Sequence, residues 1–276
     1  MSILSKKRQL ETQADFQRAL KNRYGLGEGN SYKPWLRVQD VSSYGNSAKI
    51  RGIKTNREHH TLSEHETCFF YIAEFCDSVI DIREQFPLLP IGLSLKIAKT
   101  LGIEHPKIPN TSSYNVMSTD FVLTIQRDGL ISYDAVSVKP INKLSDKRTA
   151  EKLEIERLWW QLQGIPFHLF VATEQNRTQS QNIEWATWPL RHGVLLADSL
   201  LDEAVLLMAK GKWLTEELCR QFIQKLGAGR EEALMILRIL IGTKRIVVDL
   251  NKMVVDSGII DIKDIKLSSL EIRYVS

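Results

Sequence analysis

The chain has 276 residues, of which 43% are hydrophobic and 25% charged, and its net charge is +4. This composition is typical of a folded globular protein, and the length allows two domains with at least one sizeable core. No stretch approaches about 18 consecutive apolar residues, and the start MSILSKKRQL lacks the apolar core of a secretory signal. Three cysteines without zinc-ligand spacing indicate a reducing, cytoplasmic compartment. Because the sequence has no candidate membrane span, we also expect no membrane association.

Positive charge is concentrated near the N-terminus. Residues 1–60 contain twelve lysines and arginines against five acids, so this segment carries +7 and the remainder −3. A basic segment beside near-neutral domains favours a polyanion such as DNA as a partner. A solvated N-terminal surface would explain the same charge, so this observation leaves both interpretations open.

The first part of the chain predicts alternating helices and strands. The motif SEHE matches a capping box, with Ser63 as the N-cap and Glu66 at the third helical position. VIDIREQFPLLP alternates apolar and polar residues up to Pro87, which is typical of a strand. In chain order we predict a helix within 5–24, a flexible connection over 24–34, a strand over 35–41, a helix from Ser63, a strand over 79–90 and a helix over 92–102.

Two strand-like runs, 119–125 and 131–138, flank the pair Asp128-Gly129, which is a strong hairpin signal. A helix is predicted over 146–166, followed by a central strand over 167–173. The polar stretch EQNRTQSQN then predicts a linker, which divides the chain into domains at 1–173 and 174–276. In the second domain we expect largely helical structure over 196–242 and short strands or a mixture over 245–262.

The hairpin brings an acid and a lysine together. Asp120 and Lys139 lie roughly equally far from the turn, and Ser137 shares a strand face with Lys139. The pair could be an exposed ion pair worth about 0–1 kcal/mol. Alternatively, a carboxylate and a nearby cation are what magnesium-dependent phosphodiester hydrolysis requires. Glu66 is equally ambiguous, since its carboxylate could cap its own helix or hold a metal.

Five segments carry a resemblance to a known family: YKPWLRVQDV, REHHTLSEHE, DIREQFPLLP, VMSTDFVL and VSVKP. Together they resemble the TnsA family, the endonuclease subunits of heteromeric cut-and-paste transposases of bacterial elements. NIEW and the terminal EIRYVS extend the resemblance. It implies an α/β fold of mixed α+β type, with a restriction-endonuclease-like N-terminal domain that carries the basic arm, and a winged-helix C-terminal domain for partners or DNA.

The resemblance also implies site residues and a cofactor. The family's catalytic glutamate, aspartate and lysine fall on Glu66, Asp120 and Lys139. Its metal ligands fall on Glu66, Asp120, Ser137 and the carbonyl of Val138. Ser137 is a departure, because the family and many restriction enzymes place Gln or Glu there, and a hydroxyl adds no negative charge. The implied cofactor is Mg²⁺, as two ions, with Mn²⁺ as an accepted substitute.

By this resemblance the chain nicks the 5′ ends of a transposon during DNA transposition. Its implied partners are transposon-end DNA, an integrase-type transposase subunit and an ATP-dependent regulator protein. Two alternatives stay open on the sequence. Ser137 favours a catalytically inactive adaptor that binds DNA or a partner through the winged helix, and the same nuclease fold also serves host restriction or repair enzymes.

Overall fold

The computed structural model describes residues 8–41, 46–109 and 111–266, and the terminal EIRYVS motif lies outside them. The chain divides into two compact units, residues 1–172 and 173–276, called here the N-terminal and the C-terminal unit. Across the described ranges, no helix is both long and apolar enough to cross a membrane.

The N-terminal unit opens with helix α1 (Gln13–Lys21), which Thr12 caps through a reciprocal bond with Asp15. The predicted strand over 35–41 is wrong, because a short 3₁₀ helix, Val38–Asp40, occupies its second half. The Asp40 carboxylate accepts the backbone N–H and the guanidinium of Arg37, and this local bonding favours a turn over an extended chain.

The core of this unit is a four-stranded sheet of β3 (Val79–Pro87), β4 (Ser118–Arg127), β5 (Leu130–Val138) and β6 (Phe167–Phe170), in that spatial order. Strands β3, β4 and β5 are antiparallel, and β6 runs parallel to β5. The predicted hairpin is confirmed, since Asp128 and Gly129 both have positive φ, 50° and 79°, as a type I′ turn requires. The prediction of a central strand at 167–173 is wrong, because β6 stands at the end of the sheet.

Helices cover both faces of this sheet. Phe69 of α2 (Glu64–Phe75) packs on Phe121 with ring centroids 5.0 Å apart. On the other face, α3 (Ile91–Thr100) and α4 (Lys147–Leu162) bury a cluster that includes Ile97, Val122, Ala135, Ile155, Trp159 and Trp160. A separate two-stranded sheet, β1 (Ala48–Arg51) and β2 (Glu58–Thr61), precedes α2. The helices packed on the two faces therefore hold the start of α2 and the end of the β4–β5 hairpin opposite its turn in place.

The C-terminal unit begins with helix α5 (Glu174–Arg191), so the predicted linker over 174–182 is wrong. Thr173 caps this helix, and Ile183 and Ala186 are buried. The further elements are α6 (Asp198–Leu206), β7 (Gly211–Leu214), α7 (Thr215–Leu226), α8 (Arg230–Gly242), β8 (Ile246–Val248), α9 (Val254–Ser257) and β9 (Ile259–Ile265). The strands form an antiparallel sheet in the order β7-β9-β8 against a core that includes Leu218, Phe222, Ile236, Leu237 and Leu240.

Candidate active site

Asp120 and Lys139 are in direct contact at the open end of the β4–β5 hairpin, opposite the Asp128-Gly129 turn. The ammonium of Lys139 donates to Asp120 Oδ2 at 2.7 Å and to the carbonyl oxygen of Val138 at 2.9 Å. The two side chains are 14% and 27% exposed, respectively, so the ion pair faces solvent through a restricted opening. The predicted proximity of the acid and the lysine is therefore observed, and the pair is more buried than an ordinary surface salt bridge.

Asp120 Oδ2 accepts two further hydrogen bonds from β5. The backbone N–H of Val138 donates at 2.7 Å, and the hydroxyl of Ser137 donates at 3.2 Å. Three donors thus converge on one carboxylate oxygen, which fixes the rotamer of Asp120. Ser137 itself is 1% exposed, so its hydroxyl orients Asp120 from inside the protein.

Glu66 takes part in the cap of its own helix and is also bonded to the sheet. The Ser63 hydroxyl accepts the backbone N–H of Glu66 at 3.2 Å, which is half of the predicted capping box. The reciprocal bond differs, because the Glu66 carboxylate accepts the backbone N–H of Leu62 at 2.9 Å and the Ser63 hydroxyl at 3.0 Å. Gln85 of β3 donates a further bond at 3.2 Å. The carboxylate is therefore bonded to the helix start and to the sheet at the same time.

Glu156 of α4 is a site residue that the sequence analysis missed. It is 4% exposed, and its pKa responds to burial and then to the charges of Asp120 and Lys139, so it belongs to the same electrostatic cluster. Its Oε1 atom is buried without a hydrogen-bond partner in the described structure. A sequence signal was present, because Glu156 precedes Trp160 by one helical turn on a face that also carries Ile155 and Trp159. A buried polar group on an apolar stripe calls for an explanation.

Carboxyl groups outnumber cationic groups in this cluster. Burial, and then the charge of Asp120, raise the pKa of Glu66 to about 7. The same two causes, in the same order, raise the pKa of Glu156 to about 8. Burial acts to lower the pKa of Lys139, but the charges of Asp120 and Glu156 outweigh it and raise that pKa above its usual value. One ammonium faces three carboxyl groups, and the site can accept additional positive charge.

Two consecutive histidines, His59 and His60, lie in the interior of the N-terminal unit. His59 is 0% and His60 6% exposed, and His59 Nδ1 lies 2.8 Å from Oε2 of the buried Glu84. Within the described ranges, no group of three or more His, Cys, Asp or Glu is arranged to hold a metal ion by itself. A cation at Glu66 and Asp120 would therefore draw on the Ser137 hydroxyl, a backbone carbonyl and water as well, which is how Mg²⁺ is commonly held.

Comparisons with known proteins agree with this architecture. Residues 76–172, which include Asp120, Ser137, Lys139 and Glu156, match the family described as TnsA-like endonuclease N terminal. The fold and this match make residues 76–172 similar to a TnsA-like nuclease domain. The chain is also 46% identical over 168 residues to "Transposon Tn7 transposition protein TnsA" of Escherichia coli. That alignment covers 61% of this chain and spans 60% of the relative's length. Together the matches support a TnsA-type protein, so the resemblance stated above is confirmed.

Proposed function

We propose that this chain is the endonuclease subunit of a heteromeric transposase and that it hydrolyses DNA phosphodiester bonds at the 5′ ends of the transposon. The observation that carries the proposal is the convergence of Asp120, Lys139 and Ser137 at one end of the hairpin, with Glu156 packed behind them. Glu66 belongs to the same electrostatic cluster, since Asp120 and Lys139 both act on its pKa. The similarity to the Tn7 transposition protein supports the same role.

Magnesium fits the donor set. Glu66 and Glu156 are buried carboxyl groups whose pKa values are raised, and Glu156 Oε1 is an orphaned buried oxygen. Such a cluster is stabilised by a divalent cation, because hard carboxylate oxygens are what Mg²⁺ and Mn²⁺ prefer. Glu66 and Asp120 would provide the charged ligands, and Ser137 and the Val138 carbonyl the neutral ones. When bound, the metal ions would polarise the scissile phosphate and supply a nucleophile at neutral pH.

The chain's own residues would then have distinct tasks. Lys139 places a positive charge beside Asp120, where it stabilises the negative charge that develops on the phosphate oxygens. Ser137 and the Val138 N–H hold Asp120 in one rotamer, which limits reorganisation during the reaction. A hydroxyl at position 137 leaves the ligand set less negative than Glu would, so Glu66 and Asp120 carry most of the ligand charge.

The test uses the transposase reconstituted with its integrase-type subunit and labelled transposon-end DNA. Asp120→Asn keeps the shape but removes the charge, and we expect 5′-strand cleavage to fall at least about 100-fold while 3′-strand cleavage by the partner persists. Asp134→Asn on the same hairpin is the matched control, because Asp134 is paired with His168 outside the cluster. Unchanged 5′ cleavage in Asp120→Asn would refute the assignment.

The same assay separates the two alternatives. An inactive adaptor would support 3′ cleavage by the partner but produce no metal-dependent 5′ nick, even with wild-type protein. A host restriction or repair nuclease would cleave plain DNA without the partner subunit. We expect neither result, since Asp120 and Lys139 are in direct contact and the similarity is to a transposition protein.

The basic N-terminal segment is proposed to contact DNA phosphates. A cleft of about 450 Å³ beside α1 is lined by Arg8, Arg18, Lys33 and Arg37 among other residues. The guanidiniums of Arg8 and Arg37 also lie over the ring of Tyr24, at 3.7 and 5.2 Å from its centre. Contacts of this kind position a protein on DNA without reading sequence, and they weaken as salt increases.

The C-terminal unit is proposed to be a winged helix that docks partners, including the ATP-dependent regulator. Its order of α6, β7, α7, α8, β8, α9 and β9 supports this proposal, since a winged helix also has a strand, paired helices and two closing strands, and the short α9 is an addition. In DNA-reading proteins of the helix-turn-helix type, the second of the paired helices enters the major groove. Here α8 is largely buried, and Arg238 donates from it to the carbonyl of Trp185 in α5. This burial favours partner docking over base reading.

A further inference from the structure

Gln85 has a backbone conformation that is unusual for a residue within a β-strand. It lies within β3 but has φ = 49°, in the left-handed region that disfavours residues with a Cβ. Strand pairing with β4 is regular on both sides, through Glu84↔Phe121 and Phe86↔Thr119. The strain is therefore local to one residue, at the position that corresponds to Asp120 on the neighbouring strand. Such a backbone conformation lowers the stability of the folded state by about 1–3 kcal/mol and persists only where the surrounding structure enforces it.

The surroundings of Gln85 do enforce it. The preceding residue, Glu84, is fully buried and accepts both terminal nitrogens of Arg57, at 2.8 and 2.6 Å, and the backbone N–H of His60 at 3.1 Å. The Gln85 carbonyl accepts the backbone N–H of Trp35 at 3.1 Å. The chain is thus clamped immediately before and at the strained residue, so the strand cannot relax into regular geometry without breaking buried bonds.

The strained backbone directs the Gln85 side chain to Glu66. This side chain is 2% exposed, and its Nε2 donates to Glu66 Oε2 at 3.2 Å. Its Oε1 accepts the hydroxyl of Ser118 at 3.1 Å. The amide is therefore oriented at both ends, and its N–H faces the carboxylate while its oxygen faces away from it. The opposite orientation would place the amide oxygen, which is an acceptor, against an oxygen of Glu66 that already accepts from Leu62.

The hydrogen bonds to Glu66 leave one oxygen partly open. In the described structure, Oε2 accepts from Leu62 N–H and Gln85 Nε2, while Oε1 accepts from the Ser63 hydroxyl. A carboxylate oxygen has two lone pairs, so these donors occupy both lone pairs of Oε2 and one lone pair of Oε1. Gln85 thus helps to fix which atom of Glu66 remains available as a ligand.

We propose that Gln85 is a positioning residue, which holds the Glu66 carboxylate so that Oε1 is presented to a divalent cation. This inference rests on the proposed function, since it assigns Glu66 as a ligand. Groups that orient a ligand typically change metal affinity 10–100-fold when they are removed. The backbone strain at position 85 is then retained because only this conformation delivers the amide to Glu66.

The test measures Mn²⁺ binding to the full chain by calorimetry, together with the Mn²⁺ dependence of 5′ cleavage by the reconstituted transposase. Gln85→Gly accepts the left-handed backbone and removes the whole side chain, and with it the amide. We expect its Mn²⁺ dissociation constant to rise about 10-fold or more and its cleavage to recover as Mn²⁺ is raised. Asn56→Gly is the matched control, since Asn56 also has a positive φ of 53° but is bonded to Arg51 away from the site.

Ser118→Ala is the second variant, because it removes the bond that orients the amide and leaves the backbone of Gln85 intact. We expect its dissociation constant to rise in the same direction by a smaller factor, about 2–5-fold. A Gln85→Gly protein that binds Mn²⁺ within twofold of wild type would overturn the inference, while the proposed function would stand if wild-type cleavage is metal-dependent. Wild-type protein that neither binds Mn²⁺ nor cleaves would overturn both.

Discussion

Replacing Glu156 by glutamine should stabilise the metal-free protein at alkaline pH. The substitution keeps the size of the side chain but removes a charge that is fully buried beside Asp120. The pKa of Glu156 is raised from 4.5 to about 8, so the folded protein retains a proton that the unfolded chain releases. The folded protein is therefore most stable, with respect to this group, below about pH 4.5, and that stability is lost as the pH rises toward 8.

The size of the effect follows from that shift. At about 1.4 kcal/mol per pKa unit, the rise in the pKa of Glu156 corresponds to roughly 4–5 kcal/mol above pH 8. Glutamine recovers only part of this, since a neutral amide accepts weaker hydrogen bonds than a carboxylate does. We therefore expect the free energy of unfolding of Glu156→Gln, relative to wild type, to be about 2–3 kcal/mol higher at pH 8 than at pH 5.

The assay is urea-induced unfolding of the full chain in the presence of a chelator, with hydrogen exchange in β4 used to assign the transition of the N-terminal unit. Glu154→Gln on the same helix is the matched control, because Glu154 is exposed and paired with Arg157. Its effect should be small at both pH values. A Glu156→Gln protein with the same pH dependence as wild type would refute the reasoning about the buried charge.

Two further predictions concern stability. Glu84→Ala leaves the guanidinium of Arg57 buried without its carboxylate, and we expect a loss of about 3–5 kcal/mol in urea unfolding, against less than about 1 kcal/mol for Glu154→Ala. An equal loss in both variants would contradict the importance of burial. Phe222→Ala should destabilise the C-terminal unit by about 3–5 kcal/mol, because the ring is fully buried in the core of that unit. Hydrogen exchange in β4 should then stay unchanged, and faster exchange there would show that the two units unfold together.

The parts of the site that the sequence predicted depend on local rules. The Asp128-Gly129 turn sets the hairpin register, and the register alone places Asp120 beside Lys139. The Ser63 cap likewise starts the helix that carries Glu66. Both features follow from residues close together in the chain, so periodicity and turn chemistry were sufficient to find them.

The features that the sequence did not reveal depend on contacts between distant segments. Glu156 joins the site because α4 packs on the sheet, and its acidic side chain on an apolar stripe was the one local signal. The strained backbone of Gln85 results from the Arg57–Glu84 clamp, which no alternation pattern encodes. The polar stretch 174–182 is helical because Thr173 caps it and Asn182 bonds to the carbonyls of Leu250 and Lys252.

The most direct test of the central claim is diffraction from crystals of the wild-type chain soaked in Mn²⁺, with data collected to record the anomalous signal of manganese. The account predicts a manganese peak within bonding distance of carboxylate oxygens of both Glu66 and Asp120. A fully soaked crystal in which manganese is absent from these two carboxylates would contradict it.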